Sequence, residues 1–397
     1  MEKATRQQIK AQNRDFVLKF IFDHPSTSRA EIARITHLTR TTVSDIVADL
    51  IAEELVEEVG TGSSIGGKSP ILLSLKDNSR YLIGLDLAYN KFCGAIVNLR
   101  GKIHQMVSHP INGQDSQGAL QATYSILDQL VKAAPMPLIG IGVGAPGLVN
   151  TKDGVVINAV NLDWKNLPLG QYLRERYHLP AFVINDCQAA AMGEFVYGND
   201  TPSVQNMIVI RAGHGIGSGI ILNGKIYQGD GGGAGEIGHA VVVRDNGLPC
   251  RCGNFGCLET VASARSVLQR AEMLAQIPNR PMLTDYSGAI TLDALRQAFL
   301  KGDVLARQIV LDAGRYLGMA IASMIGALNI HKIVLTGEMT CFGQPWLEAI
   351  QETIRQNTLA KLVQETDVQI GRLMDDDVIL GATALLASDY TLLIHRK

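Results

Sequence analysis

The spacing of apolar positions in residues 13 to 75 predicts a small domain that begins with three helices. The first helix ends before Pro25, and Ser28 followed three residues later by Glu31 forms a capping box that opens the second. A polar turn precedes the third helix, which covers residues 39 to 51. The apolar positions concerned are Phe16, Val17, Phe20, Ile21, Val43, Ile46, Val47 and Leu50. A short helix, a tight turn and a helix with a polar first turn are typical of a helix-turn-helix, whose second helix enters the DNA major groove.

Two short apolar strands, residues 55 to 59 and 71 to 75, predict a wing after the third helix. The tip between them is rich in Gly and Ser and carries Lys68, a cation suited to phosphates or a narrow minor groove. The acidic residues between positions 53 and 58 favour an alternative, a dimerisation or docking module, because they must point away from DNA. Helix order, turn length, the outward Arg40 and the wing agree on DNA binding, which is the interpretation adopted. The predicted DNA-binding residues are Arg29, Thr39, Arg40, Thr41, Thr42, Ser44 and Lys68.

From about residue 80 onward, short apolar runs alternate with helical stretches, which predicts an α/β body. Residues 99–105 (LRGKIHQ) are echoed by residues 222–228 (LNGKIYQ), and each copy follows a strand and a second apolar segment. We interpret the echo as a duplicated fold of two lobes with a ligand cleft between them; chance similarity of two hairpins is the alternative. The predicted domains are residues 1–75 for DNA binding and residues 76–397 for the body.

Composition narrows the class of protein. A chain of 397 residues is too long for one ordinary core. A net charge of −2 and a hydrophobic fraction of 46% exclude a disordered chain and a wholly basic nucleic-acid binder. The first residues lack the apolar stretch of a signal peptide, and no apolar run is expected to span a membrane. Because the cysteines outside one cluster are scattered singly, we predict a cytoplasmic protein with reduced thiols.

The segment from His239 to Cys257 is a cluster of metal-ligand residue types. Cys250, Cys252 and Cys257 are half of the 6 cysteines in the chain, and His239 lies shortly before them. Thiolates and an imidazole at short spacing are the ligands that a tetrahedral zinc site needs. The alternative is four unrelated residues, since Cys is often a small buried hydrophobe. We predict a zinc site formed by His239, Cys250, Cys252 and Cys257.

A second set of polar residues predicts a site for a hydroxyl-rich ligand. Asn185 and Asp186 come directly after a predicted strand, at the end where α/β folds present functional groups. A carboxylate beside an amide can hold two adjacent hydroxyls, although Asp186 as a helix N-cap is the alternative. Together with Glu236, His239 and Glu259, the pair favours a polyol over a phosphate or an apolar ligand. The predicted sugar-binding residues are Gly147, Asn161, Asn185, Asp186, Glu236, His239 and Glu259.

These motifs resemble the signature of the ROK family, named for repressors, open reading frames and sugar kinases. The resemblance rests on residues 236–239, the cysteine cluster running into Glu259, Asn185-Asp186, and the N-terminal winged helix of the repressor branch. It implies an actin-like, ribonuclease-H-like body of sugar-kinase type. Its first lobe would cover about residues 80–185 plus the C-terminal helix, and its second lobe about residues 186–380. It also implies a structural zinc, with His239 using one ring nitrogen for zinc and the other for a sugar hydroxyl.

The kinases of this family phosphorylate the sugar with an aspartate corresponding to Asp186 as general base, so an enzyme is the alternative function. ATP needs loops whose backbone amides can close on its phosphates. Where the kinases have Asp-x-Gly-Gly-Thr, residues 86–90 read Asp-Leu-Ala-Tyr-Asn. His214 replaces a usual threonine, and Glu338 stands in place of a paired glycine. Three departures in the ATP elements, with the sugar elements intact, predict retained sugar binding and lost phosphotransfer.

We therefore predict a protein that is not an enzyme but a sugar-responsive regulator of carbohydrate-utilisation genes. As a repressor it would leave its double-stranded operator when a monosaccharide closes the cleft. A homodimer or homotetramer would present two winged helices to the half-sites of a roughly palindromic operator. No membrane partner is expected. The alternatives are a ROK-type hexose kinase and a pure interaction protein whose body docks another polypeptide; the sequence does not choose the sugar.

Overall fold

The chain begins with three helices and a β-hairpin, as the apolar spacing predicts. The computed structural model describes residues 5–63, 69–111, 113, 115–135, 137–199, 203–275 and 290–388, so Lys68 lies outside the described residues. The elements of this domain are α1 (Arg6–Asp23), β1 (Thr27–Ser28), α2 (Arg29–Thr36), α3 (Arg40–Ala52), β2 (Val56–Thr61) and β3 (Ile71–Leu75). Ser28 caps α2 by accepting a hydrogen bond from the Glu31 N–H, and Thr39 caps α3. Strand β3 pairs with β1 and with β2, which completes the predicted wing.

The strands of the body form two five-stranded sheets with the same strand order and one three-stranded sheet. They are β4 (Tyr81–Leu87), β5 (Lys91–Asn98), β6 (Ile103–Pro110), β7 (Leu138–Ala145), β8 (Leu148–Asn150), β9 (Val155–Ala159), β10 (Trp164–Leu167), β11 (Ala181–Asn185), β12 (Met207–Ala212), β13 (Ile216–Leu222), β14 (Lys225–Tyr227), β15 (Lys332–Thr336) and β16 (Asp367–Ile370). The order is β6-β5-β4-β7-β11 in the first lobe, β14-β13-β12-β15-β16 in the second, and β10-β9-β8 in the three-stranded sheet. In each five-stranded sheet an antiparallel meander of three strands is followed by two parallel strands. The echoed segments are equivalent hairpins of a duplicated fold.

Helices cover these sheets and fill the space between the lobes. They are α4 (Ser116–Ala133), α5 (Leu169–Tyr177), α6 (Asp186–Gly193), α7 (Glu259–Ala262), α8 (Ala264–Ala275), α9 (Leu292–Leu300), α10 (Val304–Leu328), α11 (Gly343–Asn357), α12 (Ala360–Glu365) and α13 (Asp377–Ser388). Helix α13 packs on β4 and β7 of the first lobe, and α6 contacts both α13 and β13 of the second lobe. Trp164 is buried in the core of the first lobe and Trp346 in that of the second. Helix α6, which begins at Asp186, therefore lies between the lobes.

The expectation that no apolar run spans a membrane is tested on helix α10, the one helix among the described residues that is long and apolar enough to be considered. Its 25 residues pass that test by length and composition, and 56% of its most apolar stretch is buried inside the protein. Ile309, Leu317 and Ile321 on this helix belong to the core of the second lobe. The helix is apolar on several faces because α11 and the other second-lobe helices pack around it.

Candidate functional site

A cavity of about 1150 Å³ lies between the two lobes. Each lobe contributes loops to it from the carboxyl ends of its parallel strands, as expected for this kind of fold. All seven predicted sugar-binding residues line this one cavity: Gly147, Asn161, Asn185, Asp186, Glu236, His239 and Glu259. The tertiary structure thus brings together residues that are far apart in the sequence, while their role as sugar ligands stays a prediction.

Asn185 joins the first-lobe sheet to helix α6. Its side-chain oxygen accepts hydrogen bonds from the N–H groups of Cys187 (2.9 Å) and Gln188 (3.1 Å), so Asn185 is the helix N-cap. Its amide nitrogen donates to the carbonyl of Gly147 at 2.9 Å and fixes that loop. The alternative that made Asp186 the cap is wrong by one residue, because the strand ends at Asn185 and the helix begins at Asp186. Asp186 is left with a carboxylate oxygen facing the cavity.

Glu236 and His239 come from a tight turn below the second-lobe sheet. Gly235 leads into it with φ of +100°, and a Cβ there would overlap the carbonyl oxygen of Ser218, so only glycine fits. The turn places Glu236 Oε2 3.8 Å from His239 Nε2. Glu236 and one nitrogen of the imidazole ring therefore face the cavity together.

Glu259 is less free than the sequence indicates. Its Oε1 lies 3.1 Å from Nη2 of Arg265, and its Oε2 accepts a hydrogen bond from the Ile216 N–H at 3.2 Å. A Cβ at Gly215 would lie 2.6 Å from the same carboxylate, which explains the glycine there. Arg265, six residues after Glu259, is not among the predicted site residues. Glu259 is oriented by the second lobe before any ligand arrives.

The predicted metal ligands form one cluster. The donor atoms of His239, Cys250, Cys252 and Cys257 all lie within 4.8 Å of one another. His239 Nδ1 is 3.5 Å from Cys250 Sγ, and the sulfurs of Cys252 and Cys257 are 3.7 Å apart. Ligands at about 2.3 Å from a tetrahedral zinc lie roughly 3.8 Å from each other, so the cluster fits such an ion. Because Nδ1 faces the thiols, Nε2 is the nitrogen that faces Glu236.

An arginine that sequence analysis missed lies at the floor of the cavity. Arg211 on β12 has Nη2 3.6 Å from Asp86, Nη1 3.9 Å from Asp186 and Nε 3.8 Å from Asp377. Burial raises the pKa of Asp86 to about 7; Arg211 opposes the rise, while Asp186 and Asp377 add to it. The carboxylates are distant from Arg211 in sequence, so no local pattern marks the cluster.

Two residues that the sequence marks as departures in the ATP loops, Tyr89 and His214, form a group with Arg251 in the lining of the cavity. The rings of Tyr89 and His214 stack with centroids 3.8 Å apart. Arg251, between two of the cysteines, donates from Nη1 to Asn161 Oδ1 at 2.6 Å and lies 3.3 Å from His214 Nε2. Burial and the neighbouring cations Arg251 and Arg265 lower the pKa of His214 to about 4, so its ring is neutral at pH 7. Asn161 is therefore held by Arg251 in this state.

Some of the predicted DNA-binding residues are exposed on α3, and others make contacts within the domain. Arg40, Thr41 and Ser44 are exposed at the start of α3. Thr39 and Thr42 bond to each other as part of the helix cap (2.8 Å). Arg29 lies 3.0 Å from Glu58 of the wing.

Most of the acidic cluster that favoured a docking module is paired with cations of the domain or of the start of the body. Glu53 contacts Arg14, Glu54 contacts Lys76, and Glu58 contacts Arg29. The cluster is therefore compatible with a DNA-binding face on α3.

Comparison with known proteins agrees with this geometry. Residues 82–389 match the ROK family, and residues 16–57 match the winged helix-turn-helix DNA-binding family. The chain belongs to the ROK family. The resemblance drawn from the cysteine cluster, Asn185-Asp186 and the N-terminal helices is confirmed, and so is the predicted fold class.

Regulators and a kinase of the ROK family are among the relatives. The chain is 31% identical over 387 residues to the xylose repressor of Caldicellulosiruptor bescii, covering 96% of each protein. It is 32% identical to the DNA-binding transcriptional dual regulator NagC of Escherichia coli, covering 95% of this chain and 93% of that one. A glucokinase of Halalkalibacterium halodurans is 36% identical, but the match covers 77% of this chain and 94% of the kinase.

A solved structure matches the whole architecture. The crystal structure of a ROK family transcriptional regulator, a homologue of the E. coli MLC protein, superposes with a TM-score of 0.84. The identity is 27%, and the match covers 97% of this chain and 98% of the other. The similarity to regulators therefore extends over both the DNA-binding domain and the body.

Proposed function

We propose that this ROK family member is a sugar-responsive DNA-binding repressor of carbohydrate-utilisation genes, released from its operator by a monosaccharide. The observation that carries the proposal is the convergence of seven predicted sugar ligands on one interlobe cavity, in a chain that also carries a winged helix. The full-length similarity to a xylose repressor makes D-xylose the first candidate effector. Sugar would favour the closed lobes, and decisive release needs a preference of roughly 5 kcal/mol between the DNA-free and DNA-bound arrangements.

The proposal is tested by direct binding. A DNA duplex selected by the protein from a random-sequence pool is labelled, and its affinity is measured by fluorescence anisotropy with and without D-xylose, D-glucose or N-acetyl-D-glucosamine. Calorimetry with the same sugars measures their binding to the protein alone. We expect at least one sugar to bind the protein and to lower the affinity of the protein for the duplex. If no sugar changes the affinity for the duplex, the proposed effector role is wrong. If a sugar raises that affinity, the sugar is a co-repressor or co-activator and not an inducer that releases the protein.

The cavity also supports the absence of phosphotransfer. A general base at Asp186 must reach a sugar hydroxyl, whereas its Oδ2 lies 3.9 Å from Nη1 of Arg211. The stacked rings of Tyr89 and His214 lie between the two loops that would have to close on the phosphates of ATP. The chain therefore binds its sugar without transferring a phosphate to it.

The glucokinase relative makes the kinase the competing function. ADP release is measured with ATP, Mg²⁺ and each of the three sugars, using the wild-type protein and Asp186→Asn. We expect no sugar-dependent turnover in either protein. Phosphorylation that disappears in Asp186→Asn would establish the kinase.

We propose a structural role for zinc at the Cys/His cluster. His239, Cys250, Cys252 and Cys257 would hold the ion, which would anchor this loop and supply no reaction chemistry, because four protein ligands would leave no position for a water. His239 would hold the ion through Nδ1 and present Nε2 to a sugar hydroxyl beside Glu236. Metal analysis of the purified chain is expected to give about one zinc per chain.

The remaining proposals concern assembly and location. Two winged helices are needed to read the half-sites of a roughly palindromic operator, so the protein is a homodimer or a homotetramer. It acts in the cytoplasm, where its operator DNA lies. Light scattering coupled to gel filtration measures the mass, and a monomer that stays monomeric on the selected duplex contradicts the two-fold arrangement.

A further inference from the structure

The DNA-binding domain and the first lobe share one hydrophobic core. Buried side chains of α1 lie in the same cluster as residues of β4, of β7, of α13 and of the hairpin after β5. The shared cluster includes Val17, Leu18, Ile21, Leu82, Leu99, Ile139 and Leu386. Separating the two parts would expose this apolar surface to water, which is unfavourable. The domain is therefore packed against the first lobe.

Arg100 adds a polar contact at this boundary. It lies in the hairpin between β5 and β6, and its Nη1 donates to the carbonyl oxygen of Phe22 at 2.5 Å. The guanidinium also lies 4.9 Å from the centre of the Phe22 ring, and Nε is 3.4 Å from Asp77. Phe22 is in the last turn of α1, where the carbonyl groups have no partner within the helix.

Arg80 makes the equivalent contact with the recognition helix. Its Nη2 donates to the carbonyl oxygen of Glu53 at 3.1 Å, and Glu53 is the C-cap of α3. The carboxyl end of a helix carries partial negative charge, which favours a cation there. Two arginines from the start of the first lobe thus hold the carboxyl ends of α1 and α3.

The duplicated hairpin shows that this arginine is not a requirement of the fold. In the second lobe, Asn223 stands in the position of Arg100, followed by the same Gly-Lys-Ile sequence. Both hairpins keep the turn glycine at positive φ, Gly101 and Gly224. The arginine therefore occurs in the copy that carries the DNA-binding domain.

The same hairpin contacts the helix that begins at the sugar site. A Cβ at Gly101 would lie 2.8 Å from the ring of Tyr197, so the turn packs closely on that side chain. Tyr197 belongs to the π-helical turn Glu194–Gly198, which continues α6 from its N-cap Asn185. The helical segment that begins at Asn185 and Asp186 thus ends in a side chain that packs on the hairpin that holds α1.

We propose that Arg80 and Arg100 clamp the DNA-binding domain to the first lobe, so that the recognition helix follows that lobe as one body when sugar binds. The signal then reaches DNA through a change in the position of a rigid unit, and not through loosening of the winged helix. This inference rests on the proposed function for its sugar-dependent part. Both arginines are positioning residues, because they act through the carbonyl groups of Glu53 and Phe22 and are not part of the lining of the interlobe cavity.

The clamp is tested first without any ligand, by hydrogen exchange of the full chain measured by mass spectrometry. Arg80→Gln, Arg100→Gln and the double variant are compared with the wild type. Arg176→Gln is the matched control, because Arg176 also pairs with a carboxylate, Asp128 at 2.8 Å, and lies over a ring within the first lobe. In the double variant we expect amides of α1 and α3 to exchange at least about 10-fold faster, with β4 and β7 unchanged. Unchanged exchange in α1 and α3 overturns the clamp.

The second arm measures the signal. For whichever of D-xylose, D-glucose and N-acetyl-D-glucosamine weakens the selected duplex with the wild type, the double variant is expected to keep the sugar affinity by calorimetry. It should lose most of the sugar-induced change in duplex affinity, by about 10-fold or more. Arg100→Lys, which keeps the charge, is expected to retain more of the sugar-induced change in duplex affinity than Arg100→Gln does. Full sugar-dependent release by the double variant contradicts the inference; a wild type that responds to none of the sugars contradicts the proposed function, while the exchange experiment still decides the clamp.

Discussion

Replacing Asp86 by asparagine tests the electrostatics of the cavity floor. Asp86 is 6% exposed, and its Oδ1 has no hydrogen-bond partner among the described residues. Burial raises its pKa from 3.8 to about 7 despite the nearby Arg211. A carboxyl group whose pKa is raised on folding contributes its full stability at pH values below its pKa in the unfolded chain, 3.8. That stability is lost as the pH rises through the folded value of about 7.

The expected magnitude follows from the same two pKa values. A tenfold change in proton affinity corresponds to about 1.4 kcal/mol, so the full loss is about 4 kcal/mol, of which about 2 kcal/mol falls between pH 5.5 and pH 8. Asparagine has the shape of the protonated acid and does not titrate. The free energy of unfolding of Asp86→Asn relative to the wild type should therefore rise by about 2 kcal/mol over this range.

Urea unfolding at the two pH values measures this difference. Trp164 is buried in the first lobe with Asp86, so its fluorescence reports on that lobe, and Trp346 is replaced by Phe in every protein compared. Asp153→Asn, which changes an exposed carboxylate of the same lobe, is the control. Burial does not raise the pKa of Asp86 if the free energy of unfolding of Asp86→Asn differs from that of the wild type by the same amount at both pH values. The same holds if this difference falls between pH 5.5 and pH 8.

Three further predictions concern the glycine turn, the metal and the DNA. Gly235→Ala should lower the free energy of unfolding by about 1–3 kcal/mol, since φ is +100° and the methyl group meets the Ser218 carbonyl; equal midpoints in urea would contradict this. Removing metal with a chelator, or replacing Cys252 by Ser, should lower both the midpoint of thermal unfolding and the affinity for sugar. If stability falls while sugar affinity is unchanged, the cluster stabilises the loop without orienting the sugar site. Arg40→Ala should weaken the selected duplex by about 10-fold or more in anisotropy, whereas an unchanged affinity would exclude α3 as the reading helix.

Local signals in the sequence were sufficient for the N-terminal domain and for the metal cluster. A helix cap such as Thr39, or a thiolate such as Cys252, acts on neighbours within a few residues, so spacing alone predicts them. The alternative that made Asp186 the helix N-cap placed the cap one residue too late. The strand extends to Asn185 because it pairs with β7, and the spacing of residues does not show that pairing. Ends of elements depend on partners in this way more than their interiors do.

The sequence by itself determined the winged helix, the duplicated α/β body and the kinds of side chain available to hold a sugar and a metal. Only the tertiary structure decided which of those side chains are free. Glu259 is held by Arg265, Asn161 by Arg251, and Asp186 lies against Arg211. The physical reason is that a carboxylate or an amide is defined by the charges and donors within a few ångströms of it. In a two-lobed fold those neighbours come from strands and loops far apart in the chain.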